Sequence, residues 1–197
     1  MKIFKIQYLS IVLIAILVIN CGGNSKKRSN ENKIEIFSDF QQFLSHFNNV
    51  DLPITIYHCS SEVDEHLYHF AKKEYEYIDT ELRSAYAQIP TNGDYIAIIT
   101  LAPADCMLPI LTTLSFDGKI IDEQQLAVGG GADCGFIDNL SVKIAADFSI
   151  YVCDSIISYE CDSIGQEIEG TREEYVIYQE GKLLPNGKIE LSKEKKK

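Results

Sequence analysis

Three turn dipeptides in the second half of the chain, Asp117-Gly118, Glu180-Gly181 and Asn186-Gly187, restrict the fold more than any other feature. The first is a strong short-range hairpin signal, because both of its positions tolerate positive φ, and the other two mark further turns. Residues 110–116 and 119–128 flank the first dipeptide, and 140–146, 148–157, 175–179 and 188–191 read as further strands. The stretch 95–101 is apolar on both faces and reads as a central strand. The spacing predicts an antiparallel meander. A propeller is excluded, because each blade takes about 40 residues and several are required.

The first half carries a different period. Ser38 and Gln41 fit a capping box, and Phe37, Phe40, Phe43, Leu44 and Phe47 recur at helical spacing, predicting a helix that ends near Asn48-Asn49. The run Leu52-Pro53-Ile54-Thr55-Ile56-Tyr57 is extended. Val63, Leu67, Phe70, Ala71 and Tyr75 form one apolar stripe, predicting a second helix. Leu82, Ala85, Tyr86 and Ile89, with Pro90 beyond them, predict a third over about 80–88. The fold class expected is therefore α+β, with N-terminal helices packed on an antiparallel meandering sheet in a single domain.

Charge narrows the partners. Residues 34–192 carry 8 Lys and Arg against 27 Asp and Glu, a balance of −19, whereas residues 1–33 and 193–197 are basic. A body this acidic repels phosphate backbones, so nucleic acid is not an expected partner. The 193–197 segment reads as a solvated basic tail.

The first 20 residues fix the compartment. Lys2 and Lys5 precede an apolar run from Tyr8 to Ile19, too short to span a bilayer comfortably and ending at Asn20-Cys21, which is the pattern of an export signal. Val18-Ile19-Asn20-Cys21 resembles the lipobox of bacterial lipoproteins, with Asn20 where that pattern has a small residue. The resemblance implies that Cys21 is acylated and becomes the new N-terminus. The layout that follows is 1–20 signal peptide, 21–36 lipidated N-terminus and basic linker, 37–192 acidic domain and 193–197 tail. In the order of its parts, residues 37–191 also resemble small lipoproteins of the Bacteroidota: a Phe-rich helix, a Leu-Pro-Ile-Thr strand, an Asp-Gly-Lys-Ile-Ile-Asp hairpin and closing Gly-Lys turns. That resemblance implies location in the cell envelope and no particular activity. Bases rather than acids follow Gly22-Gly23, which points to a periplasm-facing anchor.

Export permits disulfides. Of Cys59, Cys106, Cys134, Cys153 and Cys161 none forms Cys-x-x-Cys. The Asp117-Gly118 reversal predicts a Cys106–Cys134 bridge, with Cys153–Cys161 as a second if the chain turns near Ile157-Ser158, and Cys59 left as the thiol. Glu62, His66 and His69 share a flank of the expected second helix at ligand-compatible spacing, but Lys73 lies on that flank and no His-Glu-x-x-His order is present. Neither a metal nor another cofactor is expected. The Gly129-Gly130-Gly131 loop lacks the following helix N-terminus that a phosphate cradle requires. Cys153-Asp154-Ser155-Ile156 and Cys161-Asp162-Ser163-Ile164 match, but are too short to count as a repeat.

No Gly-x-Ser-x-Gly elbow and no protease-like cysteine is present. The expected function is that of a non-enzymatic envelope lipoprotein whose acidic face binds a cationic protein. The alternative is a hydrolase of envelope glycans that uses two carboxylates.

Overall fold

Alternation sets the first sheet. In the computed structural model, which describes residues 39–57, 67–70, 74, 77–78, 82–104, 107–128 and 134–197, Ala85, Ala87 and Ile89 of the stretch Ser84–Ile89 are buried while Tyr86 and Gln88 are only partly so. That period of two makes Ser84–Ile89 a strand, β4, and not the helix expected over 80–88. Leu82, which the helical reading placed on the buried stripe, is 70% exposed. A short apolar run fits either period, and antiparallel pairing with Ile96–Ala102 (β5) decides the outcome.

The meander then runs as expected. β5 pairs with Leu108–Leu114 (β6), and β6 with Ile120–Gln125 (β7) across a turn in which Gly118 has φ 83°. Ala97, Ile98 and Ile99 are all fully buried, as a strand covered on both faces requires. Two short strands, Asn48–Asn49 (β1) and Tyr68–His69 (β3), add to the outer edge of β4. The second expected helix is thus interrupted by a strand at 68–69, its remaining described positions being Leu67, Phe70 and Glu74. The one α-helical stretch among the described residues is 39–44, followed directly by a turn and β1.

The second sheet is built from Ile54–Tyr57 (β2), Leu140–Ile144 (β9), Ser149–Ser158 (β10), Glu173–Leu183 (β11) and Ile189–Leu191 (β12), in the order β12-β11-β10-β9-β2. Phe136–Ile137 (β8) pairs with the far end of β10, and Lys195–Lys196 (β13) with β11. The basic tail is exposed, as expected, yet it is a paired strand. Ile56, Val142, Ile144, Ile150 and Val152 of this sheet meet Ala87, Ile89, Ala97, Ile99 and Leu111 of the first in one apolar core. The Thr113 hydroxyl crosses that core edge to donate to the Gly187 carbonyl at 2.7 Å.

The architecture is therefore two packed β-sheets, and the α+β expectation is corrected. The Phe-rich segment keeps a helix, shortened to 39–44, whereas helix propensity in the Ala-containing 84–89 segment yields to the pairing that covers its backbone amides. Phe43, Phe47, Phe70 and Tyr77 form an aromatic cluster, with Phe43 and Tyr77 rings 4.8 Å apart. Their spacing served packing, not a long helix. Phe43–Lys197 makes one compact unit, and Met1–Gln42, described only over 39–42, makes another.

Candidate functional site: a disulfide-pinned acidic finger

β10 and β11 are longer than the strands beside them. Their register runs from Ser149↔Lys182 to Ser158↔Glu173, while β9 covers β10 only as far as Asp154. Beyond Asp154 the pairing of β10 is taken over by β8, at Ile157 and Ser158, so the part that extends past the paired strands is the closing segment 159–172, a finger braced at its base by β8.

Local chemistry stiffens the fingertip. The Asp162 carboxylate accepts from the amides of Ile164 and Gln166, each at 2.9 Å, and the Ile168 amide donates to the Glu160 carbonyl at 2.8 Å. The Thr171 hydroxyl accepts from the Glu160 amide and donates to the Ile168 carbonyl. Gly165 and Gly170 hold positive φ, which an L side chain would resist. A disulfide, Cys134–Cys161, anchors the finger to the segment before β8 with Cα atoms 6.3 Å apart. Beside it the Tyr159 amide donates to the Gly135 carbonyl at 2.8 Å, in a contact so close that a Cβ on Gly135 would collide with the Tyr159 backbone.

This pairing corrects the expected bridges. β10 passes through Ile157-Ser158 without reversing, so Cys153 and Cys161 are held far apart, on the order of 26 Å along an extended strand. The reversal comes only at 162–166, and the antiparallel register of Ser158 with Phe136 and Tyr159 with Gly135 runs on to bring Cys161 beside Cys134. Cys153 is a free thiol on β10, and Cys21, Cys59 and Cys106 lie outside the described residues.

The finger's surface combines charge with apolar area. Ile164 is 75% exposed and Ile168 39%, with Ile137 of β8 also exposed. Around them stand Glu160, Asp162, Glu167, Glu169, Glu173 and Glu174 against one cation, Arg172, which reaches Glu174 at 3.2 Å and Glu167 at 3.4 Å. Among the described residues Glu160, Glu169 and Glu173 have no cationic partner. At the finger's base Asp154 is fully buried on the core-facing side of β10. One carboxylate oxygen accepts the Asn139 amide at 2.9 Å and the other has no partner. Burial, with a smaller push from Asp138, raises its pKa above the ordinary carboxylate range.

Of the metal candidates, Glu62 and His66 lie outside the described residues. His69 sits on β3 and its Nδ1 is 2.8 Å from the Ser84 hydroxyl, its cross-strand neighbour. Ser84 is buried, whereas His69 is exposed. No group of three metal-binding side chains occurs among the described residues. The sequence reading missed a polar network in which buried Glu74 meets His46 Nε2 at 2.9 Å and accepts from the Tyr68 hydroxyl at 3.0 Å. The His46 ring stacks on Tyr68, centroids 3.5 Å apart. It also missed the half-buried pair of Arg83 with Glu123, two contacts at 2.7 and 2.8 Å, to which Thr112 adds a hydroxyl. The Gly129–Asp133 part of the glycine loop lies outside the described residues, Cys134 and Gly135 excepted. Ile164 and Ile168 carried no periodic signal, and only their position among acids could have marked them.

No helix among the described residues is long and apolar enough to cross a membrane. No protein-family model matches the chain, and neither a curated protein nor a solved structure matches it.

Proposed function

We infer that the chain is a lipid-anchored, periplasm-facing envelope protein that acts by binding, not catalysis, and that its finger docks a basic protein. One observation carries the reading: isoleucines stand exposed on a covalently braced tip ringed by carboxylates. Water-exposed isoleucines on a stiff element cost solubility without adding to the core, and rigid presentation lowers the ordering cost of association. Acids around an apolar centre steer a cationic partner and set its orientation. The lipobox-like segment ending at Cys21 supports the anchor, and the −19 balance of residues 34–192 supports the sign of the partner and argues against nucleic acid. Photo-crosslinking tests it. A photoreactive residue at Ser163, expressed in the native host, should trap a basic envelope protein, and the same probe at Glu190 on β12 should not. Equal trapping from both positions would reject the finger as the docking point.

A further inference from the structure

The outer face of the second sheet has the opposite character to the finger. Reading across the strands, Tyr57, Ser141, Cys153, Tyr178 and Lys195 lie in one register row, and Thr55, Lys143, Tyr151 and Glu180 in the next. Tyrosines far apart in sequence are thus brought to one face. Tyr151 and Tyr178 rings are 5.8 Å apart, and Tyr57, 63% exposed, stands three strands away, about 14 Å at the usual strand spacing.

Cations gather here in an otherwise acidic protein. β13 pairs with β11 in the plane of the sheet, and the Lys197 side chain beyond it reaches over this face, placing its ammonium 3.3 Å from the Tyr151 hydroxyl and 5.1 Å from the Tyr178 ring centre. Lys143 has no carboxylate partner among the described residues, and it lines a cleft of about 400 Å³ together with Ser149, Tyr151 and Glu180. Glu180 is held by Lys195 at 2.6 Å. With Glu180 held by Lys195, Lys143 and Lys197 are the cations of these two rows that face an incoming ligand, and the following row adds Lys182, opposite Glu190 and near Asp147.

We propose that this face binds an oligosaccharide bearing carboxylate groups. Aromatic rings offer flat apolar surfaces to the C–H faces of sugars, serine and threonine hydroxyls meet their hydroxyl groups, and lysines form charge-assisted hydrogen bonds to carboxylates. The row from Tyr57 to Tyr178 has the length of a short oligosaccharide. A nucleic acid would bring a continuous phosphate charge against the −19 body, and a lipid surface would require exposed aliphatic side chains that these two rows lack. The carboxylates at the cleft are both engaged, Glu180 by Lys195 and Asp147 by the Ser149 amide and hydroxyl, so the chemistry is recognition and not the two-carboxylate hydrolysis of a glycosidase. The site is independent of the finger.

The test is calorimetric titration of the full chain with tetragalacturonic acid, a neutral tetrasaccharide of glucose, a short oligothymidylate and phosphatidylglycerol vesicles. Saturable binding of the uronate is expected, weakened at least about tenfold, roughly one charge-assisted contact, by Lys143→Glu and unchanged by Lys119→Glu in the turn between β6 and β7. Because Cys153 sits between the rings, its alkylation by iodoacetamide, read by peptide-resolved mass spectrometry, should slow when the uronate is bound. No saturable uronate binding, equal binding of the neutral sugar, stronger binding of the oligothymidylate or vesicles, or an undiminished affinity in Lys143→Glu would each overturn the proposal.

Discussion

Cys134 and Cys161, 27 residues apart in sequence, are joined where the finger leaves the sheet, so the bridge clamps the base of the loop that carries Ile164 and Ile168. Closing a loop of that length contributes about 3–4 kcal/mol by the chain-entropy relation. Cys134→Ser/Cys161→Ser should lower unfolding stability by that order in urea titrations. It should also raise amide exchange across 159–172 more than across β5. Uniform exchange changes would contradict a local clamp.

Glu123 is the second lever. Burial opposes its ionisation, but the Arg83 guanidinium and the Thr112 hydroxyl outweigh that and hold its pKa below the ordinary carboxylate range. A depressed carboxylate stabilises the fold above its unfolded pKa, and that contribution disappears as pH falls through the folded value. Glu123→Gln should therefore cost about 2–3 kcal/mol at pH 7. The cost should shrink toward pH 3, as denaturation at the two pH values would record.

Asp154 acts in the reverse sense. With its pKa raised, its contribution is fully present below the unfolded value and is lost as pH climbs toward the folded one. Asp154→Asn should match the wild type near pH 3 and exceed it by about 1–3 kcal/mol at pH 8, the penalty of a buried unsatisfied group. A variant less stable than the wild type at pH 8 would show that the carboxylate is needed in its charged form.

Asp154, set beside Asp162, also shows where sequence reading stops. Cys153-Asp154-Ser155-Ile156 and Cys161-Asp162-Ser163-Ile164 are the same four residues in two physical states. In β10 the Asp and Ile are buried; in the fingertip the Asp caps a turn and the Ile is exposed. Nothing local separates them, because the difference is made by β9 and β11 pairing around the first copy. The strands after Tyr95 were legible for the opposite reason: Gly118 and Gly187 fix reversals from within the chain itself, whereas Glu180-Gly181, expected as a further turn, is extended within β11 because it pairs with Ile150 and Tyr151. The 84–89 segment was misread since Ala85, Tyr86 and Ile89 satisfy a helical stripe as well as a strand, and only its partner β5 selects. Of the candidate sites, the tyrosine face required register across four strands, which no single-sequence period encodes.

The anchor makes a separate prediction. Expressed in the native host, Cys21→Ser should move the protein from the membrane to the soluble envelope fraction on immunoblots. Unchanged membrane partition would remove the lipid from the account.

Docking through the finger is tested most directly by capture from envelope extract at low and high salt, comparing the wild type with Ile164→Ser/Ile168→Ser. The substituted side chains are exposed, so the fold should be unaffected, which a melting curve checks. The predicted result is a basic protein retained by the wild type at low salt, released as screening rises, and reduced at least about tenfold by the double substitution, the loss of one or two apolar anchors. Equal retention by the two proteins, or retention indifferent to salt, would contradict it.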